Sequence, residues 1–135
     1  MKDQLEAVAR FHKAFGLGKA AMPTVNLERE KVLLRHRLMA EENAEYLEAA
    51  LAGDLEEVAD ALGDMLYILC GTILEHGMHE VIEQVFAEIQ ESNMSKLGTD
   101  GRPVYREDGK VLKGPGYRTP DIKRVLENFL SEKQQ

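Results

Sequence analysis

Residues 37–71 read RLMAEENAEYLEAALAGDLEEVADALGDMLYILCG, and the spacing of acidic and apolar positions in this stretch decides the fold. Helical residues advance about 100° each, so positions three and four apart share a face. Extended back by one turn, the first half carries Leu34, Leu38, Glu42, Glu45 and Ala49 on one stripe, with Glu41 beside it. The leucines mark that stripe as inward-facing, and the glutamates continue it. Gly53-Asp54 interrupts the pattern, and Asp54-Leu55-Glu56-Glu57 has the form of a capping box, with Asp54 capping and Glu57 reaching back. In the second half Leu55, Val58, Leu62, Met65 and Leu69 form an apolar seam. Glu57, Asp60, Asp64, Tyr67 and Gly71 form a second stripe, flanked by Ala61 and Ile68. Two long helices joined by one or two residues lie antiparallel.

Working outward, the periodicity predicts a helix over about Asp3 to Phe15, with Leu5, Val8 and Phe11 or His12 inward, stopped by Gly16-Leu17-Gly18. The two central helices run from about Leu27 to Leu51 and from Asp54 to Glu75, and His76-Gly77 closes the second. A fourth helix spans about Met78 to Asn93, with Ile82, Val85, Phe86 and Ile89 on one face. Residues 97–118, rich in Gly, Pro and basic side chains, are expected to form a basic arm with a hairpin turning at Glu107-Asp108-Gly109-Lys110. Thr119 then caps a last helix, 119–131, with Pro120 in its first turn. The expected architecture is an all-α, up-and-down four-helix bundle in one domain, 1–135, with a short basic arm and a terminal helix.

Charge is distributed unevenly along the chain. From Leu38 to Ser95 there are fourteen Asp or Glu and no Lys or Arg, and all seventeen basic residues lie in the flanks. An acidic helix in solvent usually alternates signs, because opposite charges at i,i+4 help it. Carboxylates on an inward stripe repel and lose solvation unless protons, basic side chains or a metal offset them. A divalent metal is the economical solution here. Oxygen ligands suit Mg²⁺ (with Mn²⁺ as a substitute), whose retained waters suit phosphate chemistry. Zinc is disfavoured, since four scattered histidines and one cysteine show no ligand spacing. The Glu-x-x-His pairs of di-iron bundles, an EF-hand loop and a P-loop are all absent. Cys70, in an apolar setting, is expected to be a buried structural thiol. A net charge of −7 argues against nucleic acid as a partner. No apolar run approaches the roughly 18 residues a membrane span needs. The charged N-terminus and the lone cysteine lead to the expectation of a cytoplasmic protein.

Glu41-Glu42-x-x-Glu45, followed by Glu57-x-x-Asp60 and Ala61-Leu62-Gly63-Asp64-Met65-Leu66-Tyr67, resembles the all-α NTP pyrophosphohydrolase superfamily. That group contains the MazG-like proteins, the dimeric dUTPases and phosphoribosyl-ATP pyrophosphohydrolase. The tail Asn93-Met94-Ser95-Lys96 with Asp108-Gly109-Lys110-Val111-Leu112-Lys113 brings the likeness closest to the MazG-like dUTPase branch. The resemblance implies hydrolysis between the α- and β-phosphates of a nucleotide, giving a nucleoside monophosphate and pyrophosphate, as in house-cleaning of the nucleotide pool. It places the metal on Glu42, Glu45, Asp60 and Asp64, with Glu41 or Glu42 as the base. Lys96, Lys113 and Arg118 would neutralise the triphosphate, and Asn93 and Tyr67 would contact the nucleotide. The family's second acidic motif is ExxD before an apolar run. With Asp64 as its aspartate the glutamate position holds Ala61, so either Asp60 or Glu57 completes the site. A homodimer or homotetramer is expected, because one chain has few elements left to cover so many apolar faces. The rival from another class is a non-catalytic acidic helical module that dimerises and binds a metal or a partner. Phosphoribosyl-ATP hydrolysis is the second enzymatic rival.

Overall fold

The computed structural model describes residues 1–135, which fall into two compact units, 1–80 and 81–135. Both are helical apart from one two-stranded ribbon, and no helix is long and apolar enough to cross a membrane.

The first unit contains α1 (Lys2–Ala14), α2 (Arg29–Ala52) and α3 (Leu55–Glu75). Helix α1 buries Leu5, Val8 and His12, the i, i+3, i+7 set of one face, and leaves Phe11 exposed. Helix α2 ends at Gly53 in the left-handed conformation, φ +69°, which costs glycine nothing. One residue later Asp54 caps α3 by accepting the Glu57 N–H at 3.1 Å. Only half of the expected capping box forms, because the Asp54 N–H goes back to the Ala49 carbonyl at 3.0 Å. The α2–α3 connection is therefore two residues long, which makes the pair a helical hairpin.

The inward side of α3 differs from the predicted seam. Ala61, Cys70, Gly71, Ile73 and Leu74 are buried, whereas Leu55, Leu62 and Leu69 are exposed. Small residues on this side let α1 and α2 approach closely. Cys70 is fully buried, and burial raises its thiol pKa, as befits a structural cysteine. Between α1 and α2 the connector is tied to the far end of α3. Ala20 N–H donates to Leu74 O at 3.0 Å, Thr24 N–H to His76 O at 2.9 Å, and His76 Nδ1 bonds back to Thr24 O at 2.8 Å. At Gly77, φ +66°, a Cβ would collide with the Met22 carbonyl, so this closure needs glycine.

In the second unit α4 spans Ile82–Met94 and starts about a turn later than the periodicity predicts, since residues 79–81 form a turn. Strands β1 (Val104–Tyr105) and β2 (Val111–Leu112) pair antiparallel, Val104 opposite Leu112 and Tyr105 opposite Val111. Gly109 takes positive φ in the turn, as the sequence signal requires. Helix α5 covers Ile122–Lys133, and its cap is Asp121, not Thr119: Asp121 Oδ1 accepts the Arg124 N–H at 3.0 Å. Pro120 has no N–H and precedes the helix. Glu88 on α4 is buried yet fully paired, with Arg118 Nη1 at 2.6 Å, Arg124 Nη2 at 2.8 Å and the Asp121 N–H at 2.8 Å. These donors, the Asp121 amide foremost, hold the Glu88 carboxyl below its usual range.

Candidate active site

The carboxylates expected for the site lie on α2 and α3: Glu45, Asp60 and Asp64 are exposed, so only Glu42 turns partly inward. Glu42 is half-buried and its Oε2 is shut off from solvent with no hydrogen-bond partner. Burial raises its pKa, and so do the nearness of Glu45 and the charges of Glu45, Asp64 and Asp60. All four belong to the first unit, and none of them pairs with a lysine or arginine. A carboxylate oxygen buried without a donor costs free energy unless something arrives to satisfy it. The chemistry of this set, four hard oxygen donors and no nearby cation, fits a Mg²⁺ ion. The side chains do not, however, already close on one point as a finished cage of three or more ligands.

Glu41 lies beside Glu42 but is exposed. Glu57 is exposed and lines a hollow of about 260 Å³ with Glu45, Glu48, Asp54 and Asp60. Tyr67, one turn beyond Asp64, meets Phe11 of α1 edge-on, ring centres 5.6 Å apart, and Phe11 in turn lies 4.3 Å from Phe15. An apolar hollow of about 320 Å³ opens between Met39 and the Met65, Leu66, Leu69 side of α3.

Asn93, Lys96 and Lys113 lie in the second unit. Asn93 is exposed and does not cap α4, whose last turn closes on Ser95. Lys96 and Lys113 are held in one neighbourhood, because the Gly114 N–H donates to the Lys96 carbonyl at 2.8 Å. Arg118 is committed elsewhere, to Glu88 and, at 3.0 Å, to Glu91, so it serves as a clamp and is not free for a phosphate.

Sequence reasoning missed a polar network at the opposite end of the first unit. Arg35 is buried; its Nε donates to Thr72 Oγ1 at 3.0 Å and its Nη2 to the Ile68 carbonyl at 2.8 Å. Glu75, also buried, accepts the Gly18 N–H at 3.1 Å and pairs with Lys31 at 3.1 Å. The His12 Nδ1–H donates to the Gly18 carbonyl at 2.7 Å. The one available sign was Gly71, whose missing Cβ leaves room for the guanidinium.

The sequence profile of the phosphoribosyl-ATP pyrophosphohydrolase family matches residues 8–93. Among solved structures, the chain is similar to a protein from Exiguobacterium sp. 255-15, provisionally named an NTP pyrophosphohydrolase. Identity is 25%, the TM-score is 0.53, and the match covers 96% of this chain and 97% of the other. No curated protein matches.

Proposed function

Since this chain belongs to the phosphoribosyl-ATP pyrophosphohydrolase family, we propose that it is a Mg²⁺-dependent nucleoside triphosphate pyrophosphohydrolase that cleaves between the α- and β-phosphates to give a monophosphate and pyrophosphate. The observation that carries this reading is the buried, unpartnered Oε2 of Glu42 among Glu45, Asp60 and Asp64. Mg²⁺ held by those four residues would supply a water of lowered pKa and a counter-charge for phosphate oxygens. The residues supply the rest. Glu41, exposed beside Glu42, would take the water's proton, with Glu42 as the other candidate. The resemblance adds Lys96, Lys113, Asn93 and Tyr67 as candidate contacts to the nucleotide. In this reading the enzyme is cytoplasmic and clears the nucleotide pool. The deciding experiment is pyrophosphate release across all NTPs, dNTPs and phosphoribosyl-ATP, with and without Mg²⁺. A partner-binding module would release none from any of them.

An acidic site that is completed by its ion should also show in stability. Ligand binding to the native state alone stabilises it by mass action. Millimolar Mg²⁺ or Mn²⁺ is therefore expected to raise the melting temperature above that in EDTA, read by calorimetry. Equal midpoints would count against a metal site.

The functional assembly in this proposal is a homodimer or homotetramer. Leu47, Leu51, Leu55 and Leu62 are 56%, 80%, 83% and 50% exposed, far more apolar surface than a helical hairpin sustains in water. A permanent helical interface would bury roughly 2,000 Å² or more. Light scattering at micromolar concentration should give at least twice the chain mass, and a monomer would remove this part of the reading.

A further inference from the structure

Arg35 is the only lysine or arginine that the first unit buries. It lies on the same face of α2 as Glu42, two turns on. Its guanidinium reaches across to α3, where Nε donates to Thr72 Oγ1 at 3.0 Å and Nη2 to the Ile68 carbonyl at 2.8 Å. Thr72 Oγ1 donates to that same carbonyl at 2.9 Å. The hydroxyl proton is thus spent on Ile68, which leaves an oxygen lone pair for Arg35. Because Ile68 accepts through its main chain, the arginine grips the backbone of α3 as well as a side chain. Gly71 makes the room, since a Cβ there would lie 2.6 Å from Nη2. Close by, Lys31 of α2 pairs with Glu75 of α3 at 3.1 Å. These directional contacts between the two helices all lie at the end of the hairpin away from Gly53-Asp54.

The acidic residues lie between two ties. The short Gly53-Asp54 connection holds one end of the α2–α3 pair, and Arg35 holds the other. From Ile68, one turn back along α3 is Asp64 and two turns back is Asp60. Those aspartates and Glu45 are exposed, so their positions follow the register of the helices that carry them. Between the ties α3 buries only Ala61, and Leu62 and Leu66 are exposed. Apolar contact of this kind is non-directional and resists sliding poorly. A magnesium ion demands near-octahedral oxygens at about 2.1 Å, so a small slip would spoil its site. A buried arginine gives no more stability than a well-packed apolar side chain, but its fixed fork of donors does select one register. We propose that Arg35 is a positioning residue of the hydrolytic site: its bonds to Thr72 and to the Ile68 carbonyl fix α2 against α3, and so fix Glu42 and Glu45 relative to Asp60 and Asp64. The role rests on the pyrophosphohydrolase reading, and Arg35 fills it two turns away from the carboxylates, without touching metal or nucleotide.

The test is Mn²⁺ titration of the full chain without nucleotide, with the free ion read by electron paramagnetic resonance well below every melting temperature. Arg35→Lys keeps the charge but cannot make both bonds, and it should bind Mn²⁺ about tenfold more weakly, the loss typical when support behind metal ligands is removed. Its kcat at saturating Mg²⁺ should fall by about tenfold or more, as expected of a small misplacement far from the chemistry. Thr72→Val removes one acceptor and should lose part of the affinity, whereas Thr72→Ser, which keeps the hydroxyl, should match the wild type. Leu74→Ala is the control for stability alone: Leu74 is buried at the same end of α3, and its truncation leaves the partners of Arg35 in place. This variant should melt earlier yet keep its Mn²⁺ affinity. If Arg35→Lys proves unfolded by circular dichroism, the threonine pair decides, because a loss in Thr72→Val that Thr72→Ser does not share supports the role. Wild-type affinity in every folded Arg35 and Thr72 variant overturns it, and so does an equal loss in Leu74→Ala. A wild type that binds no Mn²⁺ overturns both the role and the metal site. Weaker Mn²⁺ binding in Arg35→Lys, with no pyrophosphate released by the wild type from any nucleotide, would sink the hydrolase reading and leave the register role standing.

Discussion

Asp60→Asn and Asp64→Asn are each expected to abolish Mg²⁺-dependent pyrophosphate release while leaving the helices intact. Both substitutions keep the shape of the side chain and remove its charge. The two aspartates lie one turn apart on α3, and both charges act on the half-buried Glu42 carboxyl. Without metal they are a source of repulsion, so each asparagine variant should be as stable as the wild type in EDTA, or more so. The stabilisation by Mg²⁺ should shrink in both. Glu57→Gln is the contrast. The family's second motif leaves open whether Glu57 or Asp60 completes the site, and of the two it is Asp60 whose charge raises the Glu42 pKa. The Glu57 side chain does not close the capping box, since the Asp54 amide already bonds to Ala49. Glu57→Gln should therefore keep most of its turnover and lose less than the ~1 kcal/mol of a missing cap. Pyrophosphate release and melting curves for the three variants settle the register. A dead Glu57→Gln enzyme with an active Asp64→Asn enzyme would move the second half of the site one turn toward the start of α3.

The α2–α3 hairpin was legible because helical periodicity and the turn signals say the same thing there. Glu42 and Glu45 continue a leucine stripe, and the next acids follow a glycine stop and an aspartate cap, so the pairing of α2 with α3 needs no long-range information. Which apolar side of α3 turns inward was not legible. Leu55, Leu62 and Leu69 are larger and more hydrophobic than Ala61 and Gly71, and a pattern weighted by hydrophobicity picks the leucines. The fold buries the small residues instead, because close approach of α1 and α2 requires them. The cap of α5 failed for a local reason: Thr119-Pro120-Asp121 offers two capping side chains, and only Asp121 sits one residue before the first helical position. Glu88 with Arg118 and Arg124 joins residues far apart in sequence. Nothing in a local window distinguishes such residues from solvated charges.

Two glycines of α3 separate what local propensity does from what packing does, and they should respond in opposite directions to the same substitution. At Gly63 a Cβ would meet nothing within 4 Å, and the backbone is ordinary helix. Alanine there removes unfolded-state freedom and should stabilise the chain by roughly 0.5–1 kcal/mol. At Gly71, two turns on, a Cβ would lie 2.6 Å from Arg35 Nη2 and 2.9 Å from His12 Nε2. The guanidinium cannot move aside cheaply, because its bonds to Thr72 and to the Ile68 carbonyl hold it on α3. Displacing it would also disturb the charge balance around buried Glu75, the one group whose attraction opposes the desolvation of Arg35. Overpacking alone costs about 1–3 kcal/mol. Breaking a buried, hydrogen-bonded charge adds to that, so Gly71→Ala should lose about 3 kcal/mol or more despite its better helix propensity. Urea unfolding of the two variants beside the wild type reads the difference. Equal midpoints for Gly63→Ala and Gly71→Ala would mean that Arg35 is not locked across α3, and that its burial stabilises far less than its hydrogen bonds imply.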